Sequence, residues 1–478
     1  MWNVLFEDRF HLHFKIMASY FSNLLSEAMD CIGYSEKIIK VRAHTCKEIF
    51  EVASQSYLME AILAGSKSEG VVPIHDSDID IMYVSPFCIC VDHGRLEDNI
   101  IIIETDMNDC PSGYTKLRSL GLCYCFGIHL MINSDNMDFT TAMPDIMMYR
   151  NSRYFPDNNP YINSYKQVNK TTSGPADLAN GWQSKILGLI CDGVSIDCVS
   201  AIRYYSTKLL QKWAKRNRQF DWPPHDVIED VSTTEGYIVP FGNKLSTGQN
   251  LEWRICFTTG ECKLVASFNA TQLKLYVLLK MVVKDILTPA VDCVSSYMVK
   301  NVVFLVMEHT PTFVFTPSNL AKCVLHALCF LLHCLHNNNL PNYMIPNRNL
   351  LIGRVQGNQI TELRHLAREL LNEGETIVLK CEKLRNAIYV AGCNRSLATR
   401  IQSWRDETEQ LYMLLILNSV KKYKSYYKLQ GFSGVDGMIE LMRNHLYWHV
   451  ARRLAFVYVR NGANAYENVR ALLHKLLS

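Results

Sequence analysis

The sequence predicts an α+β protein, with a strand-bearing region first and a helical remainder behind it. Two patterns predict this. Alternating and β-branched runs cluster before residue 203, and helical spacing dominates from Ser206 onward. Strands followed by helices favour segregated layers over the alternating units of a parallel α/β sheet.

Each element has its own signal. Residues 17–62 space Phe21, Leu24, Leu25 and Ala28, then Ile38, Val41, Ile49 and Val52, helically, with a break at Gly33. Met17 begins that register, so residues 1–16 are expected to be a peripheral extension. Residues 65–70 are turn-rich. Residues 78–84 alternate and are β-branched, which predicts a strand; 87–92, 99–104, 122–132 and 194–202 are expected to follow suit. Residues 133–181 are rich in Asn, Asp, Pro, Ser and Tyr and predict long loops. Helices are expected over 206–218, 258–287, 295–309, 318–337, 359–391, 402–429, 434–460 and 464–477. No internal repeat is evident.

Composition narrows the class. A chain of 478 residues can bury a core without staples, and roughly 150 residues per domain suggests about three domains. With 48% hydrophobic and 20% charged residues, the composition is not that of a disordered chain. A formal charge of +3 excludes a protein that coats nucleic acid broadly, so any such partner must be held by a local patch. The 17 cysteines are odd in number, scattered and without a C-x-x-C pair, which predicts reduced thiols. Glu7, Asp8, Arg9, His11 and Lys15 interrupt the N-terminus, so no secretory signal is expected. The most apolar window, 320–335, carries Lys322, His326 and His333 and is expected to be a buried or amphipathic helix rather than a span. The expectation is a cytoplasmic or nuclear protein with no membrane partner.

The chemistry concentrates at residues 65–80. Asp76, Asp78 and Asp80 recur at every second position, so a strand places them on one face. Three carboxylates there repel one another unless a cation joins them. Mg²⁺ favours carboxylate oxygens together with substrate phosphates, and a pair of such ions suits phosphoryl or nucleotidyl transfer. Ile79, Ile81 and Tyr83 would anchor the opposite face. Twelve residues before Asp78 lies Ser66, preceded by Gly65, a turn whose backbone and hydroxyl can approach a phosphate. A third acid is expected from a neighbouring strand, and Asp197 in an apolar run is the best candidate. No P-loop and no G-x-G-x-x-G occurs. Alone, a Gly-Ser is an ordinary turn and a D-x-D a solvated face. Together with a later acid they form the pattern of the polymerase-β-like nucleotidyltransferases.

Further stretches narrow this. They are residues 65–70, 78–82, 173–176 (Ser-Gly-Pro-Ala) and 222–224 (Trp-Pro-Pro), then 251–257 (Leu-Glu-Trp-Arg-Ile-Cys-Phe) and 268–272 (Phe-Asn-Ala-Thr-Gln). Residues 295–300 (Ser-Ser-Tyr-Met-Val-Lys) and 340–351 follow, the latter reading Leu-Pro-Asn-Tyr-Met-Ile-Pro-Asn-Arg-Asn-Leu-Leu. On these the chain resembles the Mab-21 family, which includes cyclic GMP-AMP synthase and the animal cGAS-like receptors, over roughly residues 20–352. The resemblance implies a bilobal fold: a polymerase-β-like nucleotidyltransferase core over 17–290 with an N-terminal spine helix, a helical lobe over 291–352, and a helical C-terminal extension over 353–478. It implies Asp78, Asp80 and Asp197 as ligands of Mg²⁺ or Mn²⁺, and Gly65 and Ser66 on the triphosphate. Lys280 and Ser296 would contact phosphates, Tyr297 would stack on a base, and Arg254 would touch the acceptor base. Here Cys256 stands where the family's W-R-x-S-F segment has serine, which leaves the choice of base open. The stretch 269–297 holds Cys293 and no histidine, so the zinc clamp of the vertebrate enzyme is not expected. His326, Cys329 and His333 share a helix face but lack a fourth ligand at standard spacing.

The resemblance further implies a cyclic dinucleotide made from ATP and/or GTP, by an innate-immune sensor activated by a ligand such as double-stranded RNA. Candidate contacts for an activator are Lys208, Lys212, Lys215, Arg216 and Arg218, along a helix that also carries Leu209, Leu210 and Trp213. A second candidate is Lys421, Lys422, Lys424 and Lys428 among Tyr423, Tyr426 and Tyr427. The ordinary reading of either is a solvated helix face. Two other functions stand beside the leading one: a catalytically silent Mab-21 scaffold or developmental protein, and a template-independent transferase with linear products.

Overall fold

The computed structural model describes residues 2–54, 60–74, 76, 78–92, 101–119, 124–125, 128–129, 177–178, 196–205, 207–355, 357–427, 443, 445–450 and 452–453. The Ser-Gly-Pro-Ala stretch, nearly all of the expected loops at 133–181 and the expected helix at 464–477 lie outside these residues. So do the side chains of the second lysine cluster beyond Lys421.

The chain opens with α1 (Trp2–Cys31) and α2 (Glu36–Ser54), separated at Gly33 as the spacing predicts. Met17 does not begin a helix; α1 runs through it from Trp2. The helical reading also ends too late, because 60–64 forms strand β1 (Glu60–Ala64). A four-residue helical turn, α3 (Gly65–Ser68), follows. The strands are then β2 (Ile79–Val91), β3 (Ile101–Asp106), β4 (Tyr114–Ser119), β5 (Tyr124–Cys125), β6 (Ile128–His129), β7 (Asp177–Leu178) and β8 (Ile196–Tyr205). Two more, β9 (Gly236–Val239) and β10 (Trp253–Cys256), lie inside the region expected to be helical. They are four-residue pieces, β10 alternating (Trp-Arg-Ile-Cys) and β9 buried throughout (Gly-Tyr-Ile-Val), both too short to register against a helical period.

The main sheet runs β1-β2-β3-β4-β10-β9-β8-β7, and β2 also pairs with β8. That last pairing closes β2, β3, β4, β10, β9 and β8 into a ring, with β1 and β7 attached outside it. The length of β2 allows this. One edge pairs antiparallel with β1 over Met82 and its neighbours, then parallel with β3 from Cys88; the other edge pairs parallel with β8.

Helices α4 (Thr207–Ala214), α5 (His225–Ser232), α6 (Thr258–Ala266), α7 (Ala270–Val282), α8 (Ser296–Glu308) and α9 (Leu320–His336) build the second part. The run expected over 258–287 is broken because Asn269 starts a new helix. Its side chain accepts from the Gln272 amide at 2.9 Å, and Gln272 returns a bond to the Asn269 amide. Apolar α9 buries Leu328, Leu331 and Leu335 while Lys322, His333 and His336 face outward, as an amphipathic core helix does. The lobe closes around Trp222, Phe268, Phe304 and Tyr343, whose ring centroids lie 5.1–5.9 Å apart in neighbouring pairs. Beyond it come α10 (Gly357–Glu373), α11 (Glu382–Cys393) and α12 (Arg395–Tyr427).

Candidate active site

Three chain segments meet where β1 turns into β2. Gly65 ends β1 in a left-handed conformation, φ +65°, and a Cβ there would lie 2.0 Å from Asp80 Oδ2. Glycine is thus required both for the turn and for the approach of the Asp80 carboxylate. Asp80 is level with Asp197 across the parallel β2–β8 pairing. Asp78 stands just before β2 and is exposed, whereas Asp80 and Asp197 are half-buried. The side chains of Ile79 and Ile81, between and beyond the acids, go into the core beneath.

The acids feel each other. Burial, then Asp197 and Asp78, pushes the Asp80 carboxyl up to about 6. Burial and Asp78 likewise raise Asp197. Among the described residues, no three His, Cys, Asp or Glu side chains are gathered into a metal-binding group. The donors fit Mg²⁺ or Mn²⁺ all the same. They are all oxygen, two are in register, and their mutual repulsion is what a cation relieves; such ions ordinarily complete their shell with water and substrate phosphate.

The Gly65–Ser66 turn faces α7. Lys280 donates to Ser66 Oγ at 2.5 Å, and burial pulls its ammonium down to about 8. Ser68 Oγ bonds back to the Gly65 carbonyl at 2.8 Å. Buried Lys67 fixes the next stretch by donating to the carbonyls of Pro73 and Ile74, each at 2.7 Å, and to that of Asp76.

Behind the turn lies a buried network that sequence reading missed. Lys300 pairs with Glu69 at 2.6 Å and Glu261 at 3.1 Å. Burial works against its charge, but the two carboxylates more than offset that and hold it well above the usual lysine range. Tyr276 donates to Glu69 at 3.0 Å. Tyr297 donates to Glu261 at 2.8 Å and accepts from Asn342 Nδ2 at 2.8 Å. The hydroxyl of Tyr297 is therefore fully engaged, while the residue as a whole is half-buried. Ser296 is exposed at the start of α8.

Arg254 projects from β10 with its guanidinium 4.9 Å from the Phe241 ring centroid. Arg348 lies over Tyr114 at 5.3 Å, and Arg354 is held below its usual range by burial and then by Arg254 and Arg348. Arg348 and Arg354 thus add to the positive field at Arg254. The Pro-Asn-Arg-Asn stretch was the available signal for Arg348; nothing local marked Arg354.

The basic run divides. Lys208, Lys212 and Lys215 are exposed. Arg216 and Arg218 instead turn inward: both bond to Glu308, at 2.5 and 3.0 Å, and Arg216 lies over the Tyr343 ring at 4.3 Å. These two arginines tie α4 to α8 and do not belong to an outer stripe. On α9, His326 and Cys329 are both exposed, while His333 Nε2 lies 2.9 Å from the Asn337 amide nitrogen.

A strand ring bearing in-register acids beside a Gly-Ser turn, closed over by a helical lobe, is the frame in which the comparisons fall. The family model for the Mab-21 protein HhH/H2TH-like domain matches residues 273–369. Over these residues the chain is similar to Mab-21 proteins, and the match supports membership of that nucleotidyltransferase-like family. None of the curated proteins matches the chain. The match covers Lys280, Ser296, Tyr297 and Lys300, but not Gly65, Ser66 or the three acids. It also runs through α10, past residue 352, where the shared region was expected to end.

Proposed function

We propose that the chain is a metal-dependent nucleotidyltransferase that makes a cyclic dinucleotide from ATP and/or GTP. The observation that carries this reading is the register of Asp80 with Asp197, next to a glycine whose missing side chain leaves room for the Asp80 carboxylate. Asp78, Asp80 and Asp197 would hold Mg²⁺ or Mn²⁺. When bound, such ions neutralise charge on the attacking and leaving oxygens of a phosphoryl centre. Ser66 and Lys280 present a hydroxyl and an ammonium where a triphosphate would lie, and they exchange their mutual bond for bonds to it. Arg254, supported by Arg348 and Arg354, would orient the second nucleotide. A ribose hydroxyl of one nucleotide displaces pyrophosphate from the α-phosphate of the other, and a second displacement closes the ring.

Activation by a ligand such as double-stranded RNA, and a role in innate immunity, rest on the family resemblance. Lys208, Lys212 and Lys215 are the candidate contacts on this chain. The test is purified protein with labelled ATP and GTP, Mg²⁺ or Mn²⁺, and RNA, DNA or neither. A phosphatase-resistant product that disappears in Asp78→Asn/Asp80→Asn supports the reading. No product under any condition sinks it in favour of the scaffold, and a ladder of linear products favours the template-independent transferase.

A further inference from the structure

The C-terminal helix α12 reaches the underside of the candidate site. Glu409 on α12 and Arg42 on α2 are both fully buried and pair through two bonds of 2.7 Å. Glu409 Oε1 also accepts from the backbone amide of Ile74 at 3.2 Å, and Arg42 donates to the Gly70 carbonyl at 3.4 Å. Gly70 and Ile74 lie in the loop that begins at Ser66 and ends at Asp78. That loop is pressed onto α2: a Cβ at Gly70 would stand 2.1 Å from the Ile39 carbonyl oxygen.

The apolar contacts run the same way. Ile79 and Ile81, the inward residues of the acid strand, share one core with Ile38, Ile49 and Phe50 of α2 and with Met413 and Ile416 of α12. Ile74, Ile79 and Ile416 meet around a cavity of about 20 Å³. The acids above and the helix below are therefore opposite sides of one strand.

We infer that α12 is a clamp on the acid-bearing loop, with Glu409 as the positioning residue that sets Ile74, and through it Asp78 and Asp80. The inference rests on the nucleotidyltransferase reading for its functional part alone. A single buried carboxylate bonded both to a loop amide and to a spine-helix guanidinium fixes the loop against two elements at once. Removing one partner strands a buried charge, whereas replacing both by apolar side chains does not.

The experiment uses the full chain with Arg42→Met/Glu409→Met. Amide hydrogen exchange over 70–76, Mn²⁺ binding and product formation are read together. Exchange at Ile74 is expected to rise about tenfold, the scale of one lost hydrogen bond. Mn²⁺ affinity is expected to fall about tenfold or more, as for lost outer support of metal ligands. The turnover rate falls while nucleotide KM changes little. Leu370→Ala in α10, a truncation outside the core that Ile74, Ile79 and Ile81 share with α12, lowers the melting temperature without these changes. A folded double variant with wild-type exchange and Mn²⁺ binding overturns the clamp. Should the double variant not fold, Glu409→Gln keeps an acceptor but loses the charge; faster exchange at Ile74 then supports the clamp and unchanged exchange overturns it. If wild-type protein makes no product and binds no Mn²⁺, the nucleotidyltransferase reading fails, and the exchange result still decides whether α12 holds the loop.

Discussion

Two buried charge clusters flank the loop between β1 and β2, and they are balanced differently. Above it, one ammonium, Lys300, serves two carboxylates, Glu69 and Glu261. Below it, Glu409 takes both forks of Arg42, and Arg405 lies 3.9 Å from Glu409 and 3.5 Å from Asp406. Among its ion-paired groups the upper cluster has one carboxylate more than ammonium, with Lys280 and Asp80 beside it, and it adjoins the half-buried Tyr297. The lower one has as many guanidiniums as carboxylates. A surplus beside a groove invites a cation or a polar ligand, whereas a closed balance holds elements together. The difference assigns chemistry to the upper face and support to the lower one.

The sharpest way to break this comparison is at Asp80. Asp80→Asn should lower product formation on the order of 10³–10⁴-fold, the scale of losing one member of a catalytic set. The same change should make metal-free protein more stable at pH 8. The carboxyl's folded pKa, about 6, lies above its ordinary 3.8, so the native state binds more protons between those values. Wild-type stability then falls as pH rises through that window, by on the order of 3 kcal/mol, and the asparagine variant is spared that loss. Melting curves at pH 5 and pH 8 without divalent ions check the sign. Equal melting temperatures for the two proteins at both values would remove the repulsion argument.

Lys300 tests the upper cluster itself. Lys300→Met strands Glu69 and Glu261 in a buried setting and should cost about 3–5 kcal/mol, read by urea unfolding. Adding Glu69→Leu should recover part of it. A loss within 1 kcal/mol would mean that water reaches these carboxylates and the cluster is not a closed one.

How far these clusters were legible follows from what neighbours in sequence can reveal. The Gly65–Ser66 turn and the inward isoleucines are local patterns that spacing reveals, whereas the three acids do not share a strand face: β2 begins at Ile79, so Asp78 stands before it and Asp76 lies in the loop. Asp197 is conspicuous as an acid in an apolar strand, and in the structure it stands in register with Asp80. Glu69 lies within the Gly-Ser stretch but has no local signal, because its partners Lys300 and Tyr276 are far along the chain. Glu409 and Arg42 are separated by 367 residues and look like ordinary polar positions on helices. Arg216 and Arg218 looked like two more cations in a basic run. Only packing against Glu308 and Tyr343 distinguishes them from Lys212. The closure of the strand ring through β2 and β8 was invisible for the same reason: strand pairing is not written in strand composition.

Lys280 bears on the upper side with a smaller effect. Lys280→Met should raise the nucleotide KM by about 10- to 100-fold, the worth of one charge-assisted phosphate contact, with a lesser change in turnover rate. Its ammonium titrates near 8, pulled down by burial. The charged form therefore dominates below that pH, and nucleotide affinity should fall as pH rises through 8. Stability runs the other way, since between 8 and 10.5 the unfolded chain binds the extra proton and stability rises with pH. Isothermal titration with a non-hydrolysable nucleotide at pH 7 and pH 9 reads the first effect. A wild-type affinity that is flat across that range would detach Lys280 from the phosphate.

The smallest effect belongs to the outer face of α4, where the comparison recurs on one helix and its end. Lys212 is exposed, whereas Arg216 is locked to Glu308. Lys212→Ala should leave stability within about 0.5 kcal/mol, as surface changes do, while Arg216→Ala should cost about 1–3 kcal/mol for the lost charge-assisted bond to Glu308, which keeps Arg218 and Tyr343, and for the lost cover over Tyr343. If the exposed lysines meet a phosphate backbone, Lys212→Ala lowers the salt slope of RNA binding by about one. It does so without altering turnover in the absence of RNA. Arg216→Ala should leave that slope unchanged at a temperature where the protein is folded. A slope that drops with Arg216 and not with Lys212 would place the nucleic-acid contact on the inner pair and overturn the division between exposed lysines and inward arginines.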